Sequence, residues 1–239
     1  MISVGLPNYS SPFAWFAMES LCRQETFHEW ELLIYEDSDN PLGALFYSGY
    51  IDRLKKVGCI NVKYEYSKER VALSLKWIWM GKNMHKGSLG LMLQASDCYS
   101  GPHRIETAVN GLALGYDWIQ TNIGYFYNVL TCKVMLYNSN EGTGLNMTIS
   151  KRQLLSMPIE EKWSGVDYWL FTNMTNSKVM INESDNWKNG IDTDGFNRIS
   201  LHRKQNYNNP EPPFFATDVT IKEIIPEEII HLLNDCKYI

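Results

Sequence analysis

Apolar and amphipathic segments alternate along the first part of the chain. Residues 2–6 and 31–35 are apolar runs of strand length, and turn-forming residues follow the first of them. Between them, apolar positions recur at helical spacing from 13 to 21, and the Ser-Ser-Pro segment at 10–12 predicts a serine N-cap with proline in the first turn. Strand, helix and strand in this order predict a right-handed βαβ unit.

The same alternation continues as far as residue 114. It predicts helices at 51–57, 69–82 and 103–114 and strands at 62–66 and 90–93. Two of the predicted strands end in polar clusters, Glu36-Asp37-Ser38-Asp39 and Gln94-Ala95-Ser96-Asp97. Open α/β sheets bind their ligands outside the carboxyl ends of the strands, so the pattern predicts a binding site there.

The pattern changes after residue 115. Strands at 118–127 and 131–137 predict a hairpin joined by 128–130, followed by a strand at 147–149 and a helix from Ser150. Residues 165–171 are predicted to lie at or just before the start of a helix, and 182–213 is predicted to be mostly loop. Pro226 predicts the start of a final helix at 227–233. We predict one domain over 1–239, with a nucleotide-binding half at 1–115 and an acceptor-side half at 116–239.

Composition excludes several classes of protein. A net charge of −5 argues against a broad nucleic-acid surface. No apolar run reaches eighteen residues, and the first twenty residues lack a signal-peptide pattern, so we expect a soluble protein without a membrane anchor. The five cysteines are scattered and form no CxxC pair, which favours a reducing, cytoplasmic location over a disulfide framework or zinc site.

Short motifs stand in a distinctive order between residues 2 and 175. A proline turn follows the first strand, acidic residues end the second, and a polar cluster before a proline and a basic residue ends a later one. The motifs are Pro7-Asn8-Tyr9-Ser10, Glu36-Asp37-Ser38, Gln94-Ala95-Ser96-Asp97 with Pro102-His103-Arg104, and Gly165-Val166-Asp167-Tyr168. Together they resemble glycosyltransferase family 2. The resemblance implies a GT-A (Rossmann-like) α/β fold, with a mixed, mainly parallel sheet flanked by helices and a C-terminal hairpin and loop region for the acceptor.

The resemblance also implies an activity and a set of site residues. A family 2-like enzyme moves a sugar from a nucleotide diphosphate sugar to an acceptor hydroxyl, on a glycan or another molecule, with inversion. Carried over by position, Pro7 and Asn8 line the nucleotide pocket, and Glu36 and Asp37 bind the nucleotide sugar, with Asp37 at the base or ribose. Asp97 meets the ribose or a metal ion. Asp167 is the general base that takes the acceptor proton.

The metal motif departs from the family pattern. Two positions that are usually carboxylates are Gln94 and Ser96, which leaves Asp97 as the remaining acid for Mn²⁺ or Mg²⁺. By its order in the chain, His202 is the candidate for completing the metal shell. Basic side chains are the alternative for neutralising the diphosphate; the candidates are Lys76, Arg70, His202, Arg203 and Lys204.

Other interpretations of the same residues remain open. The degraded metal motif also fits a non-catalytic nucleotide-sugar or glycan binder. Asp37 and Asp167 each stand where an ordinary turn or helix cap would place them. Residues 190–200 suit either a loop that closes over the donor or a surface connection. A nucleotidyltransferase or a dinucleotide-binding oxidoreductase is disfavoured, because no glycine-rich signature follows the first strand.

Overall fold

The protein was analysed as a computed structural model. It describes residues 1–9, 11–121, 123–128, 132–138, 147–156, 161–162, 166, 178–181, 199–202, 214–216, 220, 222 and 226–235. Asp167, Arg203, Lys204 and most of the predicted closing loop, 190–198, lie outside the described residues.

The described strands and helices follow one another in a regular order. The strands are β1 (Ile2–Asn8), β2 (Trp30–Asp37), β3 (Cys59–Ser67), β4 (Gly90–Leu93), β5 (Cys98–Tyr99), β6 (Trp118–Thr121), β7 (Ile123–Asn128), β8 (Lys133–Asn138), β9 (Met147–Ser150), β10 (Lys178–Ile181), β11 (Ile199–His202) and β12 (Phe214–Ala216). The helices are α1 (Ala14–Leu21), α2 (Gly43–Ser48), α3 (Ile51–Lys56), α4 (Leu73–Asn83), α5 (Arg104–Ala113), α6 (Lys151–Ser156) and α7 (Glu227–Asp235).

Among the described residues, seven strands form one sheet in the order β10-β6-β9-β4-β1-β2-β3. Neighbouring strands are parallel from β4 through β1 and β2 to β3, and β10 is parallel to β6. Strand β9 is antiparallel to both of its neighbours. Helices lie between successive strands, so the predicted mixed, mainly parallel α/β fold is confirmed.

A second sheet holds the hairpin part of the chain. Within the described ranges it contains five strands in the order β12-β8-β7-β11-β5. The antiparallel pair β7 and β8 is the predicted hairpin, with Tyr125 opposite Leu136. One of its strands, β11, pairs in parallel with β7 and antiparallel with β5. The short strand β5 thereby connects the end of β4 with this second sheet.

Three apolar clusters hold these layers together. The first packs the inner faces of β1 and β2 against α1 and α5, and the second packs α4 against the other face of the main sheet. The third joins α1, the second sheet and α7 through side chains such as Phe16, Tyr127 and Ile229. The strands β1 and β2 are covered on both faces, which is why they read as continuous apolar runs in the sequence.

Two predicted helix starts are wrong. Helix α1 begins at Ala14 with Phe13 as N-cap, because the Ser11 hydroxyl accepts the Phe13 N–H at 3.2 Å and forms a separate turn. Helix α4 begins at Leu73 rather than residue 69. Its preceding segment is extended because the Val71 N–H donates to the Asp37 carboxylate at 2.6 Å.

Several strands also differ from the predicted pattern. The predicted strand at 118–127 is two strands that belong to different sheets, β6 and β7. Strand β11 lies within the stretch predicted to be mostly loop, and α2, β5, β10 and β12 were not predicted. The strands among these elements are short, and the strands that they pair with lie far away in the chain. No helix among the described residues has the length and apolar character that crossing a bilayer requires.

Candidate functional site

The candidate site lies where three neighbouring parallel strands end. Strand β1 ends at Asn8, β2 at Asp37 and β4 at Leu93, and their register places these ends at the same edge of the sheet. Polar residues follow directly after each strand. This edge is where open α/β sheets bind their ligands.

Glu36 is at the centre of a closed hydrogen-bond network. One carboxylate oxygen accepts the Asn8 side-chain amide at 2.9 Å and the Leu42 N–H at 3.0 Å. The other oxygen accepts the Tyr64 hydroxyl at 2.8 Å and the Gly43 N–H at 3.0 Å. Glu36 is fully buried. Its carboxylate therefore ties β1, β2 and β3 to the start of α2, and its predicted contact with the donor stays a prediction.

Asn8 extends this network towards α2 and α1. Its amide nitrogen also donates to the Tyr47 hydroxyl at 2.9 Å, and its side-chain oxygen accepts the Ser11 N–H at 3.2 Å. Burial, with the nearby Glu36 charge, raises the pKa of Tyr47 above its ordinary value. The phenol is therefore neutral at physiological pH. Asn8 thereby links the end of β1 to Tyr47 of α2 and to Ser11.

Asp37 and Lys76 form a buried ion pair beside this network. The Lys76 ammonium contacts one Asp37 oxygen and also donates to the Asn8 carbonyl at 3.2 Å. The second Asp37 oxygen accepts the Val71 N–H. Asp37 is fully buried and the Lys76 side chain is 5% exposed. Burial lowers the pKa of Lys76, while the Asp37 charge opposes that shift.

An exposed aromatic ring lies at the rim of the same strand end. Tyr9 follows β1 directly and is 52% exposed, and the Arg70 guanidinium lies 4.5 Å from the centre of its ring. Arg70 precedes Val71, the residue that holds Asp37. Pro7 is half-buried in β1 next to Asn8. The site thus has an accessible aromatic surface above a buried polar network.

The end of β4 is built differently. Gln94 is buried, and its amide nitrogen donates to the Cys98 carbonyl at 2.7 Å, while its oxygen accepts the Ser100 hydroxyl at 2.5 Å. Asp97 is half-buried and receives one long contact, from the Cys98 thiol at 3.5 Å. Gln94 is therefore committed within the protein, and the Asp97 carboxylate keeps acceptor capacity.

The second sheet brings the backbone of His202 towards Asp97. Strand β11 runs antiparallel to β5, with Ser200 opposite Cys98. From that pair, one strand continues to His202 and the other leads back to Asp97. The pairing therefore places side by side two chain segments, each next to or containing a predicted metal ligand. Among the described residues, no group of three His, Cys, Asp or Glu side chains forms a metal site.

The predicted catalytic base lies outside the described residues, but its neighbour is described. Val166 is fully buried in the second apolar cluster, with Leu33, Trp77 and Leu93 among its members. Leu33 and Leu93 belong to β2 and β4, the strands that end at the candidate site. The chain therefore enters the core of the main sheet one residue before Asp167.

Comparison with solved structures identifies the fold. The S. aureus TarS fragment 1–349 in complex with UDP superposes with a TM-score of 0.60 at 14% identity, over 84% of this chain and 60% of that fragment. The mannosyltransferase PcManGT from Pyrobaculum calidifontis, in complex with GDP-Man and Mn²⁺, gives 0.57 at 9% identity, over 84% of this chain and 56% of the enzyme. This chain thus spans less than two thirds of either structure. No protein-family model and no curated protein sequence matches it. The fold is that of GT-A glycosyltransferases.

The structure brings most of the predicted site residues to one edge of the sheet. Asn8, Glu36, Asp37 and Lys76 interact directly, whereas Asp97 lies at the end of the neighbouring strand β4. Two further groups contribute that the sequence analysis did not single out: the exposed Tyr9 ring and the hydroxyls of Tyr47 and Tyr64. The alternating tyrosines of β3 were a detectable signal for Tyr64, because alternate residues share one face of a strand. Tyr47 had no comparable signal.

Proposed function

We propose that this chain transfers a glycosyl group from a nucleoside diphosphate sugar to an acceptor hydroxyl, with inversion at the sugar carbon. The observation that carries the proposal is the polar edge of the sheet formed by β1, β2 and β4, in a fold whose solved neighbours bind UDP or GDP-Man. The acceptor that this chemistry requires is a hydroxyl group, on a glycan or on another molecule.

The base of the donor would stack on Tyr9. Aromatic stacking accepts any base and contributes about 1–3 kcal/mol per base. Behind the ring, Asp37 offers carboxylate oxygens to an N–H group of the base or to a ribose hydroxyl. Pro7 and Asn8 shape the floor of this pocket, and Glu36 holds Asn8 in place. Binding at this end would therefore be rigid and would select the nucleotide.

The diphosphate would lie at the end of β4. Asp97 and His202 would supply a carboxylate and an imidazole, both of which suit Mn²⁺. A divalent cation held by these residues would supply charge neutralisation for the departing diphosphate. Gln94 is not available as a ligand, because its amide is bonded to Ser100 and Cys98.

The chemical step is a direct displacement at the anomeric carbon. The acceptor oxygen forms a bond to that carbon as the bond to the diphosphate oxygen breaks, and the electron pair leaves with the nucleoside diphosphate. The proton of the acceptor hydroxyl passes to the Asp167 carboxylate. Attack from the face opposite the leaving group inverts the configuration. Positioned general bases contribute about 10²- to 10⁴-fold to such rates.

A non-catalytic binder of nucleotide sugars is the second candidate. The commitment of Gln94 to the protein favours it, since this position contributes nothing to a metal shell. The two candidates differ in what they require of Asp167. A binder would keep its affinity and show no turnover in any variant.

The test is donor binding and hydrolysis with a panel of UDP- and GDP-sugars, with and without Mn²⁺. Asp167→Asn should retain donor affinity and lose turnover by about a thousandfold, because only the proton acceptor is removed. Asp52→Asn, a change at an exposed carboxylate on α3, is the matched control and should leave both unchanged. Binding without hydrolysis or transfer by the wild type, with acceptor glycans present, would support the binder. Absence of any nucleotide binding would contradict both.

A further inference from the structure

Lys76 occupies an unusual position for a basic side chain at an anion-binding edge. Its ammonium lies below Asp37, on the first turn of α4, and its contacts are the ends of β1 and β2 rather than the protein surface. The side chain is 5% exposed. In this arrangement the ammonium is bonded to two protein groups, the Asn8 carbonyl and the Asp37 carboxylate.

The carboxylate of Asp37 is held at both oxygens. Lys76 contacts one oxygen and the Val71 N–H donates to the other at 2.6 Å. Two fixed donors prevent rotation of the carboxylate about its terminal bond. Each carboxylate oxygen can accept more than one hydrogen bond, so the group retains capacity for a ligand. Lys76 thus determines how that carboxylate is oriented.

The charges around this pair make Lys76 the main compensation for Asp37. The negative charge of Glu36 also favours the charged form of Lys76, and the Asp37 charge contributes to the raised pKa of Tyr35 on the same strand. Arg70 is the other cation nearby, and its guanidinium lies over the Tyr9 ring at the exposed rim. A buried carboxylate without a cationic partner takes up a proton.

We propose that Lys76 is a positioning residue, which keeps Asp37 charged and oriented for the nucleotide and does not itself contact the donor. This assignment rests on the proposed function and specifies how its nucleotide pocket works. The pocket then presents a fixed anionic acceptor, which selects bases or ribose groups that carry a hydrogen-bond donor. Lys76 acts on the ligand through Asp37 alone.

A double-mutant cycle on nucleotide binding tests this assignment. UDP and GDP affinities are measured by calorimetry for wild type, Lys76→Met, Asp37→Asn and the double variant, from about pH 6.5 to about pH 8.5. Lys76→Met should weaken binding about thirtyfold at the lower pH and recover part of that loss as pH rises, because Asp37 regains its charge. In the Asp37→Asn background, adding Lys76→Met should change affinity by less than about threefold. Lys82→Met, at the exposed end of α4, is the control and should match wild type.

Each outcome has a definite meaning. A further loss of about tenfold when Lys76→Met is added to Asp37→Asn would show direct contact with the donor and overturn the assignment. A loss in Lys76→Met that is equal at every pH, relative to wild type, would also overturn it, because it would indicate a purely structural role. The double variant carries no unpaired buried charge, so its comparison with Asp37→Asn decides the question even if Lys76→Met does not fold. Wild-type protein that binds neither UDP nor GDP would overturn the proposed function itself.

Discussion

The ends of β1 and β2 and the end of β4 lie side by side in one sheet but hold their polar side chains in opposite ways. At the ends of β1 and β2, Glu36 receives four hydrogen bonds and Asp37 has a donor on each oxygen. At the end of β4, within the described residues, Asp97 receives one long contact from a thiol. The carboxylates at the end of β2 are bonded to several groups of the protein, whereas the half-buried Asp97 after β4 keeps acceptor capacity.

This difference separates shaping the pocket from binding the ligand. Buried polar groups contribute stability only when their partners are present, so the network around Glu36 fixes the backbone that surrounds the pocket. A half-buried carboxylate with spare acceptor capacity is free to bind a ligand or cation. Substitution of Glu36 should therefore change folding, and substitution of Asp97 should change binding. Asp37 belongs to both groups, because it is bonded within the protein and is also the proposed acceptor for the nucleotide.

The largest expected effect is on stability at the first strand ends. Glu36→Ala should lower the free energy of unfolding by about 3–5 kcal/mol, because it removes the shared acceptor of four donors, of which the Asn8 amide is buried. Urea unfolding at equilibrium measures this change. Glu65→Ala, on the exposed part of β3, is the matched control and should cost less than about 0.5 kcal/mol. Equal losses in the two variants would remove the basis of the comparison.

A smaller loss of stability is expected when Gln94, the first residue of the Gln94-Ala95-Ser96-Asp97 motif, is replaced by the carboxylate of the family pattern. Gln94→Asp should destabilise the fold by about 2 kcal/mol, because the amide donor to Cys98 is lost and a charge is buried. It should not strengthen Mn²⁺-dependent nucleotide binding. Ser96→Asp is the paired variant: its position is half-buried, so the new carboxylate should increase the effect of Mn²⁺ on UDP affinity without a comparable loss in stability. If Gln94→Asp increased the effect of Mn²⁺ on UDP affinity and Ser96→Asp did not, position 94 would be the ligand position.

The smallest expected change in stability is at Asp97. Asp97→Asn should alter the free energy of unfolding by less than about 0.5 kcal/mol, because one long thiol contact is all that it disturbs. Nucleotide affinity in the presence of Mn²⁺ should fall about tenfold, and the difference between Mn²⁺ and a chelator should disappear. Calorimetric titration with UDP and GDP measures both quantities. A stability loss comparable to that of Glu36→Ala would place Asp97 in the structural network instead.

The sequence predicted those parts of the fold that depend on local periodicity. Strands β1, β2 and β4, and the helices α1, α3 and α4 between them, followed from apolar runs and helical spacing. The hairpin of β7 and β8 was also predicted. The second sheet as a whole was not, because β11 is four residues long and is defined by its pairing with β5 and β7. A short strand without a partner in the neighbouring sequence leaves little pattern to detect.

The candidate site was predicted in outline for the same reason. Polar residues directly after buried strands mark a ligand-binding edge, so the acidic clusters that contain Asp37 and Asp97 could be predicted without a structure. Asn8 was carried over from the family resemblance, and the ligand contacts of all three residues stay predictions. The sequence could not predict that Asp37 is fully buried and Asp97 half-buried, since both are aspartates that follow predicted strands. His202 was proposed as a metal ligand from its order in the chain, and that role stays a prediction. The pairing of β11 with β5 could not be predicted from the sequence.

By itself, the sequence determined a parallel α/β sheet with carboxylates at the ends of its strands, because side-chain periodicity is a local property of the chain. Tertiary structure alone decided which partners within the protein those carboxylates bond to. The Asn8 amide that donates to Glu36 lies 28 residues away in the sequence. The Lys76 ammonium that pairs with Asp37 lies 39 residues away. Whether a buried charge finds such a partner depends on how distant segments pack, and no local pattern encodes that.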